Sequence, residues 1–351
     1  MARPNDKKKK DEGANYGEAV AALRANGPQR LYVLCGREDY LREQFYARLR
    51  EACLPGGEDE FSFHRFDGAE PDLVGISAAV DSMPFLSERS LVEIRGCDLN
   101  RLGESDSDRL QALIADIPEW CTLVFLMPPD VLPDGRLRVT KAIKKHGEIL
   151  QFNEQDPGNL IKWVARRFDA WNKRITIDDA QYLIAITGGL MNRMIPEIDK
   201  ISAYAADAVV TRADIDAVTE KTPDAVVYEL TDRLSEGDRD GAMAKLTELL
   251  SMKDNDPIMI LAVIGVQLRR LYAARAAREA NLPESEAMAL CDVRYGFLVQ
   301  RAQRAARRFS PDALERAVLR CAETDYAMKH SGRDNVALLE EFMLSLMEDM
   351  R

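Results

Sequence analysis

The chain has 351 residues, 46% of them hydrophobic and 30% charged, with a formal net charge of −11. That length holds two or three domains, each with its own core, and the composition is that of a folded chain that lives in water. The acidic excess excludes a protein that coats nucleic acid by general attraction, though not one with a local basic face, and no window approaches the roughly 18 uninterrupted apolar residues of a membrane span.

Residues 1–15 carry Lys7 to Lys10 with no apolar run behind them, so they read as a solvated tail rather than a secretory signal, and the cytoplasm is the expected compartment. The next 140 residues alternate between two periodicities. Leu31 to Cys35 is a short apolar run stopped by Gly36, which suits a strand buried on both faces. Tyr40, Leu41, Phe45 and Leu49 then recur at helical spacing. Phe61, Phe63 and Phe66 suggest a second strand, Leu73, Ile76, Val80 and Met83 a helix, and Leu91 to Ile94 a third strand. Leu110 to Ile117 reads as helix, Leu123 to Leu126 as a buried strand, and a helix closing at Ile143 precedes a strand at Ile149 to Phe152. Repeated strand–helix alternation implies a largely parallel sheet with helices on its faces, over residues 16–155.

After Asp156-Pro157-Gly158 the strand signals stop. Leu160, Val164 and Phe168 open a helix, and another follows Thr176. Gly188-Gly189 breaks the pattern, Pro196 is expected near a helix start, and Thr211 reads as the N-cap of a short helix through Val218. Residues 156–221 are therefore expected to form a small helical domain. From Thr222-Pro223-Asp224 onward the apolar positions mark long amphipathic helices, including one begun by Pro257 and others from about Val293, Ser310 and Asn335. Residues 222–351 read as a helical bundle.

A parallel α/β domain invites a search for phosphate binding, which belongs where a glycine-rich turn meets a helix N-terminus. The expected place is Gly36-Arg37-Glu38-Asp39. It has one glycine, no lysine, and two carboxylates where a phosphate would rest. Nor does Leu126 lead into an acidic pair for Mg²⁺, since Met127-Pro128-Pro129 follows. No nucleophile elbow and no H-E-x-x-H is present; Asp178-Asp179 and Glu340-Glu341 read as helix-start or surface charges. The cysteines (Cys35, Cys53, Cys97, Cys121, Cys291, Cys321) are scattered without a C-x-x-C pair, which suits buried free thiols. His64, His146 and His330 form no local metal pattern, so no catalytic residue, cofactor or metal is assigned.

The stretch from Ser82 to Val92 is the most informative. The residue before a proline is pushed out of the α region, so the helix ends near Met83, and Phe85 and Leu86 fall in the connection to the next strand. Two readings stand: a plug that returns to the core, or an exposed anchor for a pocket on a partner.

Several stretches resemble the bacterial DNA polymerase III delta subunit family. Leu31 to Leu41 is similar to that family's opening strand, glycine, acids and aromatic-leucine pair. Met83 to Leu91 resembles its clamp-binding element, an apolar-Pro-Phe-Phe/Leu group before a Ser/Gly-Glu-Arg turn. Asn192 to Ile201 is similar to its second-domain helix, with Ile198-Asp199-Lys200 where Leu-Glu-Lys is commoner, and Gln267 to Leu271 matches a Q-x-R-x-L collar helix. The resemblance spans about residues 30 to 350. It implies an AAA+-like first domain without ATPase residues, a small helical lid, and a collar joined to the motor (gamma/tau) and delta-prime subunits. It implies that Met83, Pro84, Phe85 and Leu86 bind the sliding clamp (the beta subunit), with Leu86 where many members carry a second phenylalanine, and help open the ring for loading on primed DNA. The alternative from another class is an α/β enzyme with a helical accessory domain and an active site assembled from distant residues.

Two basic clusters remain. Arg294, Arg301, Arg304 and Arg308 fall near one helical face with Arg307 beside it, and Arg269, Arg270, Arg275 and Arg278 form another. Each is either a solvated or salt-bridged face, or a contact for primer-template phosphates or a neighbouring subunit.

Overall fold

A computed structural model of the chain describes residues 16–57, 59–85, 87–253 and 256–349. The expected tail at 1–15 and the site residue Leu86 lie outside them. The chain divides into two compact units, at Gln155 and Asp156.

The first unit is a parallel sheet with helices on both faces. Its elements are α1 (Tyr16–Asn26), β1 (Leu31–Cys35), α2 (Asp39–Cys53), β2 (Phe63–Asp67), α3 (Leu73–Asp81), β3 (Ser90–Arg95), α4 (Glu104–Ala115), β4 (Cys121–Leu126), α5 (Arg138–His146) and β5 (Glu148–Gln151). The strands lie in the order β2-β3-β4-β1-β5, all parallel. β1 and β4 are buried along their whole length because they have neighbours on both sides and helices above and below. Leu31, Val33, Cys35, Leu123 and Phe125 point into the core shared with α3, α4 and α5. On the opposite face Tyr32 meets Phe45 of α2 edge-on at 5.9 Å, and Phe45 lies 5.7 Å from Phe152. Every strand expected from the sequence is present. The helix α1 carries too weak an apolar stripe to have been read there.

The second unit opens with α6 (Pro157–Asp169), β6 (Arg174–Ile175), α7 (Ile177–Thr187), α8 (Met191–Tyr204), β7 (Val209–Val210) and α9 (Arg212–Val218). Thr211 caps α9 as expected, in a reciprocal box with Asp214. Two expectations are corrected. Strands do continue past Asp156, since β6 and β7 pair in parallel, but at two residues each they are too short to show a period. Pro196 lies inside α8, in its second turn, and not at its start. With Gly188 capping α7 in the left-handed region and Leu190 already the N-cap of α8, the break is shorter than Gly188-Gly189 suggested. The missing N–H of Pro196 leaves the carbonyl of Asn192 without its helical donor.

The remaining elements are α10 (Pro223–Glu236), α11 (Arg239–Ser251), α12 (Pro257–Glu279), α13 (Glu284–Leu290), α14 (Gly296–Ala306), α15 (Pro311–His330) and α16 (Asn335–Asp349). They bury a main apolar core, with Ile260, Leu261, Ile264, Leu268 and Leu271 of α12 at its centre, and a smaller cluster of Ala277, Ala287 and Val299. Gly265 lets α15 come close, because a Cβ there would sit 2.8 Å from the sulfur of Cys321. By length and composition α12 could cross a bilayer, but it is the central helix of this bundle. The sequence pattern did not separate α13 from α14.

Candidate functional site

The C-terminal ends of β1 and β4 are where a ligand would sit in an open parallel sheet, beside the strand at which the order reverses. Here that place is filled by the chain itself. Gly36 leaves β1 at φ +108, and a Cβ on it would stand 2.2 Å from the carbonyl oxygen of Phe152. The guanidinium of Arg42, reaching back from α2, donates to the carbonyls of Met127 (3.1 Å) and Gly36 (3.5 Å) and pairs with Asp39 at 2.6 Å. Arg37 spans Asp130 and Glu154 at 2.6 and 3.3 Å. Glu38 is fully buried at the head of α2. The guanidinium groups of Arg37 and Arg42 are thus committed to internal acceptors.

The opposite, N-terminal edge of the sheet presents apolar side chains to solvent. The helix α3 ends at Asp81, and Ser82 turns extended ahead of Pro84, which projects the following residues away from the sheet. Met83 is 68% exposed and Phe85 79% exposed, with Pro84 between them half-buried. The core-plug reading is therefore wrong for Phe85, whose ring is exposed and packs against no core. Phe61, in the turn before β2, is also exposed and stands 6.3 Å from Phe85 between ring centroids.

The base of this projection is held by polar groups. The carboxylate of Asp59 accepts from the amides of Phe61 and Ser62 (2.8 and 2.9 Å) and from the hydroxyl of Ser62 (2.6 Å). These bonds, the hydroxyl's first, hold the Asp59 carboxyl below its ordinary range. The hydroxyl of Ser87 lies 2.7 Å from both the Ser62 hydroxyl and the carbonyl of Arg89. The connection from α3 to β3 is thereby tied to the turn that carries Phe61. Sequence reasoning took Phe61 for a strand residue and missed its place beside Phe85; the Asp59-x-x-Ser62 spacing, a turn signature, marked the strand as starting later.

The basic residues divide differently from the expected clusters. Arg301 is bound within the fold: it pairs with Asp232 at 2.5 Å and lies over the ring of Tyr228, whose hydroxyl accepts from Arg270. Arg275 pairs with Glu279 and donates to the carbonyls of Ala306 and Phe309 at the end of α14. Arg301, Arg304 and Arg308 line one cleft of about 540 Å³ with Arg212, Tyr182 and Phe297, while Arg294 is exposed ahead of α14, off that lining. All six cysteines are buried. Among the described residues, no cluster of His, Cys, Asp and Glu could hold a metal ion.

Two family models match the chain, one described as DNA polymerase III, delta subunit, over residues 32–153, and one as the C-terminal domain of the DNA polymerase III delta subunit, over residues 224–346. The DNA polymerase III subunit delta of Bacillus subtilis is 25% identical over 325 residues, which cover 91% of this chain and 93% of the relative. The probable DNA polymerase III subunit delta of Aquifex aeolicus is 22% identical over 327 residues, covering 91% and 92%. Among solved structures, the Bacillus subtilis DNA clamp loader delta protein is similar with a TM-score of 0.55 and 24% identity, covering 95% of this chain and all of that one.

Proposed function

The chain belongs to the DNA polymerase III delta subunit family, and from that premise we propose that it is the clamp-loader subunit that docks on a ring-shaped sliding clamp through Met83, Pro84 and Phe85, with Leu86 completing the apolar knob. The observation that supports this reading is a phenylalanine almost bare to solvent, on a connection whose base is tied down by Asp59, Ser62 and Ser87. An apolar side chain held out in this way loses little freedom on binding, and its burial in a pocket contributes about 1.5–3 kcal/mol.

Docking opens the ring only if the knob binds the open or strained interface more tightly than the closed one, because a ligand shifts an equilibrium by its differential affinity alone. Among the described residues, Arg42 and its carbonyl acceptors fill the place at the end of β1 where a nucleotide would sit in such a sheet. Control of access to the knob therefore falls to ATP on neighbouring motor (gamma/tau) subunits. Residues 222–351 form the collar that joins those subunits and delta-prime, residues 156–221 form the small helical lid, and the assembly works at primer-template DNA in the cytoplasm.

A pull-down of the sliding clamp by the full chain tests the reading, comparing the native sequence with Phe85→Ala. Binding by the native chain and its loss in the variant, at unchanged helicity, is the expected result. Failure of the native chain to bind overturns it. Binding of a nucleotide by the isolated chain would favour the enzyme alternative.

A further inference from the structure

We propose that Lys221 is a latch: its ion pairs hold the small helical domain (α6 to α9) in one pose on the bundle, and their loss lets that domain swing about residues 219–222. Those residues are all that lies between α9 and α10. The ammonium of Lys221 stands 3.3 Å from the Asp216 carboxylate on α9 and 2.7 Å from that of Glu229 on α10, so one cation holds both parts. Each carboxylate is tied further into its own side. Asp216 accepts from the hydroxyl of Tyr182 on α7 at 2.6 Å, and the second oxygen of Glu229 pairs with Lys245 on α11 at 2.7 Å. The side chains of Lys221, Glu229 and Lys245 are 20%, 22% and 23% exposed, so salt screens these pairs less than it screens surface ones.

The junction has the makings of a hinge. The main apolar core of the bundle takes in no residue before Val226, so the two parts do not share it. The backbone ties across the junction are polar: the amide of Thr222 donates to the carbonyl of Ile186 (2.9 Å), and that of Glu220 to the Glu197 carboxylate (3.2 Å). Relative motion is the rule where a junction is not large and apolar, and hinges sit at the ends of elements. There is also room to move. One cleft of about 810 Å³ separates Asn192 and Arg193 of α8 from Met252 and Lys253 at the end of α11. A second, of about 540 Å³, separates Asp178 and Tyr182 of α7 from Ser235 and Glu236 of α10. The two share no lining residue, and the latch runs between them: Asp216 and Lys221 line the first, Tyr182 the second. The inference concerns this chain alone and is independent of docking at Phe85.

The test is the distance between two spin labels on the full chain, measured by double electron–electron resonance. One labelled pair is Asn192→Cys/Lys253→Cys, across the first cleft, and the other is Asp178→Cys/Glu236→Cys, across the second. The native cysteines are buried and stay unlabelled at neutral pH. With Lys221 in place, each pair should give a single narrow distance. Lys221→Met removes the ammonium and keeps the aliphatic stem; it should add a second distance in both pairs, the swung fraction rising about fivefold, at unchanged helicity. Lys221→Arg should return the single distance. Arg233→Gln, which breaks the Arg233–Asp238 pair within the bundle, should leave both distributions as they were. A single distance in Lys221→Met, a second distance that comes with lost helicity, or the same broadening in Arg233→Gln would each overturn the proposal.

Discussion

The rings of Phe61 and Phe85 stand 6.3 Å apart at an interplanar angle of 57°, although one precedes β2 and the other follows α3. An aromatic pair in such a tilted arrangement is worth about 0.5–1.5 kcal/mol. Both rings are more than half exposed, so the pair adds no core; it fixes the pose of Phe85. Phe61→Ala should therefore weaken clamp capture about twofold to tenfold while the urea midpoint falls by no more than the pair's own worth, as read by titration and circular dichroism. A variant as tight as the native chain would show that Phe85 needs no support.

Gly36 has both a backbone angle that L residues avoid and a carbonyl where a side chain would go. Gly36→Ala should cost roughly 3 kcal/mol, seen as a lower urea midpoint at unchanged m-value. An unchanged midpoint would mean that the end of β5 yields easily.

Arg42 is almost wholly buried, and its loss would leave the carbonyls of Gly36 and Met127 without their donor and Asp39 without its cation. Arg42→Met should destabilise the chain by about 2–4 kcal/mol in urea melts. Neither the native chain nor this variant should bind a fluorescent ATP analogue, because Glu38 and Asp39 remain. Tight nucleotide binding by either would contradict the filled-site reading.

Burial pushes the thiol of Cys35 up to about 12, and those of Cys53, Cys97, Cys121 and Cys321 to about 11, from an ordinary 9.0. The folded chain holds these protons where the unfolded chain releases them, so this contribution to stability is complete below about pH 9. It is lost as pH rises from 9 towards 11 and 12. The urea midpoint should be level from pH 7 to about 8.5 and fall above 9, and a thiol reagent at pH 8 should label the cysteines only on denaturation. Rapid labelling of the native chain would place a thiol at the surface.

The sheet was legible because its strands are apolar runs punctuated by Gly36 and by helical stripes, and burial on both faces leaves little else for Leu31 to Cys35 or Leu123 to Leu126 to do. The bundle was legible through N-caps such as Thr222 and Ser310, each followed by proline. What sequence spacing misplaced depends on contacts between distant segments. Arg301 shares a helical stripe with Arg304 and Arg308, yet Asp232 and Tyr228 on α10 withdraw it from the surface. Pro84 signalled where α3 stops, but whether Phe85 turned inward or outward waited on the tie between Ser62 and Ser87, 25 residues apart.

The most direct measurement is the dissociation constant between the full chain and the sliding clamp, for the native sequence and for Phe85→Ala. Truncating one exposed anchor should weaken capture about tenfold to a hundredfold while the helical signal and urea midpoint stay put. Equal affinities for the two chains would contradict the docking role of this connection.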